Sequence, residues 1–233
     1  MMGGADGAIL ALDLSYPAGV VTLSHEGRIS WRRVEGGRRA ADLFPLLSEV
    51  LAESGVEREC ITVIGAGRGP GAFTGVRVAV TAAKFLAWAW ELSLVAPTSL
   101  EAMAFSWRGD GLVCPCMDAR RREFYFGLYR REGDLLEVLE GPLLGPEGTL
   151  REKMEAWSEE YRDDLFLVGY PDRSIAADLP AKEILPLDGP TPEGLVKAVS
   201  AHLREERFVR PLDLLPLYLR RPDAEERRCR EGR

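Results

Sequence analysis

Five glycines fall within residues 65 to 75, in the run Gly65-Ala-Gly-Arg-Gly-Pro-Gly-Ala-Phe-Thr-Gly-Val-Arg77. The apolar run Ile61–Ala66 leads into it and reads as a buried strand, and a helical pattern over Thr74–Glu91 follows. Strand, glycine loop and helix in that order define an α/β unit. Glycine admits positive φ and lets the backbone approach a neighbour that a Cβ would hold away. That neighbour is either a phosphate at a helix N-terminus or another helix. A structural αL turn and an anion site both remain open on spacing alone. The run is not a Walker A loop, because Val76-Arg77 follow Gly75 where Lys-Ser/Thr is needed. Gly69-x-Gly71 followed by Gly75 also misses the dinucleotide GxGxxG by one residue.

Upstream, Ala8–Leu14, Gly19–Ser24 and Arg28–Val34 read as an antiparallel meander, divided by Tyr-Pro-Ala and by Glu26-Gly27. Leu43, Leu46, Leu47, Val50 and Leu51 recur at helical spacing within Arg38–Glu53. Pro45 inside that helix predicts a kink or a later start. With strand Ser93–Ala96 and a short helix from Ser99, the order is βββαβα.

A second cycle is visible. Leu112–Met117 ends in Asp118 as Ile9–Leu12 ends in Asp13. Tyr125, Phe126 and Leu128 stand at the same offsets beyond Asp118 as Val20, Val21 and Leu23 beyond Asp13, which suggests a duplicated strand–Asp–loop–strand unit. Strands Leu135–Leu139 and Leu165–Val168 follow, with helices Pro146–Trp157 and Thr191–Glu206, the latter N-capped by Thr191. The boundary is drawn in Arg108-Gly-Asp-Gly111, giving units 1–108 and 109–233, the second a reduced version of the first. The tail Arg210–Arg233 begins as a Pro-broken extended segment and ends as a charged stretch, disordered or wrapped on a partner.

Helix Thr74–Glu91 is apolar nearly all round, leaving a narrow polar stripe of Arg77, Thr81, Lys84 and Glu91. Such a helix must be covered on more than one side. One side packs on its own sheet. Ala79, Ala82, Ala83 and Ala87 would let another helix approach the opposite side closely. A deeply buried central helix satisfies the same pattern, so both readings stand.

The net charge of −7 and pI near 5.1 argue against tight nucleic-acid binding by this chain alone. Arg120-Arg-Arg122 reads as a loop face or anion clamp, and Arg227-Arg228 with Arg230 as a solvated tail. The only histidines, His25 and His202, lie far apart, and no HExxH exists, so no protein-bound metal centre is expected. Cys114-Pro-Cys116 places two thiols on one strand face, but no second cysteine pair or nearby histidine makes a zinc site. These cysteines, with Cys60 and Cys229, read as reduced thiols. The opening Met1-Met-Gly-Gly-Ala-Asp lacks the pattern of a signal peptide, and no apolar run reaches about 18 residues. No membrane association and a cytoplasmic location are therefore expected.

Gly67-Arg-Gly-Pro-Gly-Ala-Phe-Thr-Gly-Val-Arg77 resembles the GRGPGSFTGLR signature of the TsaB (YeaZ) family. The resemblance continues in order along nearly the whole chain. Ile9-Leu-Ala-Leu-Asp13-Leu-Ser15 looks like the family's ILAIDTS strand, and Ala82-Ala-Lys84-Phe-Leu-Ala87 with Pro97-Thr-Ser-Leu-Glu101-Ala like its helix and SLEAL segment. Met117-Asp118-Ala-Arg120-Arg-Arg-Glu123-Phe-Tyr125 looks like its DARRGEVY element, and Pro216-Leu-Tyr-Leu-Arg220 like its PxYLR tail. Leu14 replaces the family's Thr, Ala72 its Ser and Arg39 a frequent His, so no hydroxyl or imidazole role carries over to those positions.

The resemblance implies two ribonuclease H-like domains of the actin/hexokinase/Hsp70-like superfamily. It implies a non-catalytic partner of TsaD in making threonylcarbamoyladenosine in tRNA, with TsaE joining and tRNA touched only indirectly. The helices near Leu43, Leu47 and Leu51 and near Thr74, Val76, Val80, Ala83, Lys84 and Ala87 would dock on TsaD, or on a second copy when TsaD is absent. Asp13, Ser15, Gly69, Gly71 and Arg77 are the candidates for nucleotide or anion binding. The Asp13–Gly19 turn is poor in glycine, and Gly169-Tyr-Pro stands where an adenosine-binding Gly-Gly pair would be, so the ATP cleft looks incomplete. No cofactor is expected on this chain alone, with ATP or ADP left to the complex. The alternative is a small phosphotransferase of the acetate- or sugar-kinase type, built on Asp13 and the glycine loop.

Overall fold

Two five-stranded sheets with the same strand order dominate the structure, a computed structural model that describes residues 7–35, 39–169 and 179–220. The first contains β1 (Ala8–Asp13), β2 (Ala18–His25), β3 (Arg28–Glu35), β4 (Ile61–Ala66) and β5 (Ser93–Val95), in the order β3-β2-β1-β4-β5. The second contains β6 (Gly111–Asp118), β7 (Glu123–Glu132), β8 (Leu135–Pro146), β9 (Leu165–Val168) and β10 (Glu183–Leu185), in the order β8-β7-β6-β9-β10. Each begins as an antiparallel meander and adds two parallel strands on the other side of its first strand. The equal offsets beyond Asp13 and Asp118 thus correspond to two equivalent hairpins, in a ribonuclease H-like arrangement used twice.

The helices complete a five-layer stack. On the outer face of the first sheet lie α1 (Arg39–Ser54) and α2 (Phe73–Ala89), which share a core with Leu10, Leu12, Leu23 and Ile64. Its inner face is covered by α3 (Ser99–Ser106) and α5 (Pro192–Arg204), through Ala102, Phe105, Leu195, Ala198 and Val199. The other side of α3 packs on the second sheet with Leu100, Met103, Ala104 and Trp107. Finally, α4 (Glu147–Tyr161) covers the far face of that sheet with Leu150, Met154 and Trp157. All eight residues of α3 are buried, because it is a layer shared by both sheets.

Local chemistry fixes this shared layer. A capping box starts α3: Thr98 Oγ1 accepts from Glu101 N at 3.1 Å and Glu101 Oε2 accepts from Thr98 N at 2.6 Å. Thr191 caps α5 by accepting from Gly194 N at 3.0 Å, while its own N–H donates to Ser106 Oγ at 2.9 Å. A Cβ on Gly194 would lie 2.6 Å from Ala102 O, so glycine sets how closely α5 meets α3. The last helix of the second half of the chain therefore packs on the first sheet.

Some elements differ from the sequence reading. β8 runs on to Pro146 rather than stopping at Leu139. Pro142 falls inside β8, which is an edge strand, where proline is tolerated, and β7 shifts register opposite it near Phe126–Tyr129. The three-residue β10 carries too short a pattern to be read. Pro45 lies inside a helix that already runs from Arg39.

The tail is ordered as far as it is described. Val209 N donates to Leu94 O at 2.9 Å and Leu217 N to Arg68 O at 2.7 Å. Arg220 donates to Ala119 O at 2.9 Å and pairs with Glu123. The charged stretch with Arg227, Arg228, Cys229 and Arg230, the segment Tyr170-Pro171 and the N-terminal six residues lie outside the described residues.

Candidate functional site

The glycine loop closes on the chain's own backbone. Gly67 N donates to Leu12 O at 2.9 Å, Arg68 N to Pro97 O at 3.1 Å, Gly69 N to Ser99 Oγ at 3.2 Å, and Ala72 N to Ser15 O at 2.7 Å. These four donors, which a phosphate cradle would aim at a ligand, are spent on protein acceptors. A Cβ on Gly67 would overlap the Asp13 carboxyl, and one on Gly71 would sit 2.5 Å from the Ser15 backbone oxygen. Gly69 has φ +94°, which suits glycine, and it faces Leu217 O.

Asp13 is buried at the end of β1. Its Oδ1 accepts from Ser15 N at 2.8 Å and Ser15 Oγ at 2.5 Å, and its Oδ2 is buried with no hydrogen-bond partner among the described residues. Burial pushes the carboxyl above the ordinary aspartate range, outweighing the hydrogen bonds from Ser15. The two bonds from Ser15 make this carboxyl part of the turn that follows β1. Arg77 is not beside it: its guanidinium lies over the exposed Phe73 ring, 5.1 Å from the centroid. The structure thus brings Asp13, Ser15 and Gly71 together, sets Gly69 against the tail, and puts Arg77 on the outer face of α2.

The space between the sheets is filled as well. Tyr16, from the turn after Asp13, is buried among Leu100, Met103, Trp107, Val113, Met117, Tyr125, Tyr129 and Val168. Burial, and then the nearness of Asp13, Cys116 and Tyr129, push its phenol well above the ordinary range. A nucleotide cradled at these two turns would need free backbone donors and open space between the sheets. Spent donors, a buried carboxyl and a tyrosine packed across the gap do not fit one.

The exposed face of α2 tells a different story. Leu43, Leu47, Val76, Val80, Ala83 and Ala87, expected on the docking surface, are buried against this chain's own sheet. Leu51 is half-buried on the same core, Lys84 is half-buried, and Thr74 is exposed. The correction has a physical reason. An almost uniformly apolar helix gives its periodicity no polar face to exclude, and its alanine-rich side fits closest to a sheet. The large rings point outward instead: Phe85 is 54% and Trp88 69% exposed, with Phe73 at the start of α2 and Phe44 on α1 also exposed. Single exposed apolar residues are ordinary, but several rings along one helix face mark an interaction surface.

Other candidates resolve simply. Glu123 pairs with Arg220, and the backbone N–H of Arg120 donates to Asp118 Oδ1 at 2.6 Å. Cys114 and Cys116 are buried free thiols, and burial pushes Cys114 up to about 12. Among the described residues no three His, Cys, Asp or Glu side chains group as metal ligands, and no helix is long and apolar enough to cross a membrane. Sequence reasoning missed the pair Glu101–His202, joined at 3.0 Å between α3 and α5; a buried Glu in a capping-box position was its only signal.

Residues 38–146 match a family model described as TsaD: tRNA N6-adenosine threonylcarbamoyltransferase. A Bacillus subtilis (strain 168) protein described as tRNA threonylcarbamoyladenosine biosynthesis protein TsaB is 34% identical over 165 residues, 68% of this chain and 69% of that protein. A Haemophilus influenzae protein of the same description is 28% identical over 227 residues, covering 91% and 93%. The solved structure of YeaZ from Pseudomonas aeruginosa superposes with a TM-score of 0.79 at 28% identity, over 91% of this chain and all of that one.

Proposed function

The chain belongs to the TsaB family of tRNA threonylcarbamoyladenosine biosynthesis proteins, and on that premise we propose that it acts by docking on the transferase TsaD. It is not itself an enzyme. The observation that carries the docking reading is the exposed aromatic face of α2 with Phe85 and Trp88, set on a rigid sheet. Docking would hold TsaD in the geometry that passes threonylcarbamoyl from its adenylate to tRNA adenosine. Covering each ring would contribute at most about 1.5–3 kcal/mol, so the two rings serve as anchors within a larger interface rather than as its whole energy.

On this reading the complex is cytoplasmic, TsaE joins it, and the chain pairs with a second copy through the same face when TsaD is absent. The acidic net charge leaves most of the tRNA to the partner, so this chain touches it only indirectly. Any ATP or ADP belongs to the complex. The units 1–108 and 109–233 divide the work, the second being the reduced one without an adenosine-binding Gly-Gly pair. Phosphotransfer by Asp13 has no observation in its favour, given the spent donors around it.

The test is reconstitution of tRNA modification from TsaD, threonylcarbamoyl adenylate and tRNA, with and without this chain. Modification should depend on the chain and survive Asp13→Ala. ATP turnover by the isolated chain, lost in Asp13→Ala, would overturn the reading.

A further inference from the structure

The segment after α5 is held firmly yet shows its largest apolar side chains to solvent. Leu217 N is fixed on Arg68 O at 2.7 Å, Lys84 Nζ donates to Leu214 O at 3.1 Å, and Leu214 itself is buried in the core under α2. Tyr218 stacks on Phe73 with ring centroids 5.1 Å apart. Leu212 is nevertheless 86% and Leu215 68% exposed.

These anchors set the direction of the segment. Leu214 lies at Lys84 and Tyr218 at Phe73, so the chain runs antiparallel along α2. Eleven helical residues rise about 16 Å, and four extended residues span roughly 13 Å. The lengths agree, so the segment lies beside the helix for most of its length. Its outward leucines and Tyr218 therefore extend the same apolar surface as Phe73, Phe85 and Trp88. Ordering a segment costs conformational entropy. An ordered segment that presents leucines to water leaves apolar burial unrealised until something covers it.

We propose that the segment Leu212–Tyr218 is part of the docking surface, so that the transferase binds a composite of α2 and this strap. The inference rests on the docking reading above and adds the strap to it. The occupant follows from the family match: the matched residues 38–146 contain α1 and α2, so a transferase of that family carries the same two helices. Two like faces meet about a local twofold axis, and a strap lying beside one helix then borders the partner's helices.

Two double variants test this on the full chain, with purified TsaD titrated by calorimetry. Leu212→Glu/Leu215→Glu alters exposed side chains and should leave the melting temperature unchanged while weakening binding roughly tenfold or more. Phe85→Glu/Trp88→Glu should weaken it at least as much. If the helix variant loses binding and the strap variant binds like wild type, the composite surface is wrong and the docking reading stands. If neither variant weakens binding, both fail. A strap variant that reduces only self-association of this chain, with TsaD binding intact, also overturns the proposal.

Discussion

Asp13 shows how a residue type associated with phosphate chemistry can serve a turn. Its carboxyl is buried, accepts from Ser15, and touches the backbone of Gly67, where a larger residue would not fit. Because burial raises its proton affinity in the folded state, the folded chain binds more protons than the unfolded chain between the ordinary aspartate value and the raised one. Stability from this group is full below that window and falls as pH rises through it. Asp13→Asn keeps an acceptor for Ser15 and removes the ionisation. Relative to wild type, it should gain stability as pH rises above the ordinary aspartate value, as measured by urea unfolding over a pH range that starts at about 4. An unchanged difference across the range would show that Asp13 is charged and solvated.

At the level of elements, α3 is the joint of the molecule. Glu101 and His202 are both more than nine-tenths buried and meet at 3.0 Å, tying α5 to α3. Burial works to raise the Glu101 carboxyl, but the contacts with His202 and Thr98 outweigh it and hold the group below the ordinary range. Its stabilisation is present above that ordinary range and lost as pH falls through the depressed value. His202→Ala should cost about 3–5 kcal/mol in chemical denaturation at neutral pH, because the buried carboxylate is left without its main partner. His202→Gln should recover part of the loss by restoring a donor. Equal stability of the alanine variant would mean that Arg207, 3.7 Å from Glu101, suffices alone.

Much of this element structure was legible in the sequence, because strands and caps carry local signals. Ile61–Ala66 and Leu165–Val168 alternate with turns, and Thr191 precedes its helix by the spacing of an N-cap. The packed face of α2 was not legible. Val80 and Phe85 are both apolar, and only the presence of a sheet beneath Val80 separates core from surface. Nor was the destination of α5, since nothing local says that a helix of the second half returns to the first sheet.

Across the whole molecule, one strand order occurs twice, but the gap between the two copies is closed by Tyr16, α3 and the glycine loop. Among the described residues, the exposed rings of α2 offer a partner an apolar outer face. The most direct measurement is sedimentation of Phe85→Glu/Trp88→Glu mixed with TsaD, beside wild type and Val80→Glu. The account predicts that the double variant stays folded and sediments apart from TsaD, whereas Val80→Glu, a charge in the core, loses the fold itself. A folded double variant that still co-sediments with TsaD would contradict it.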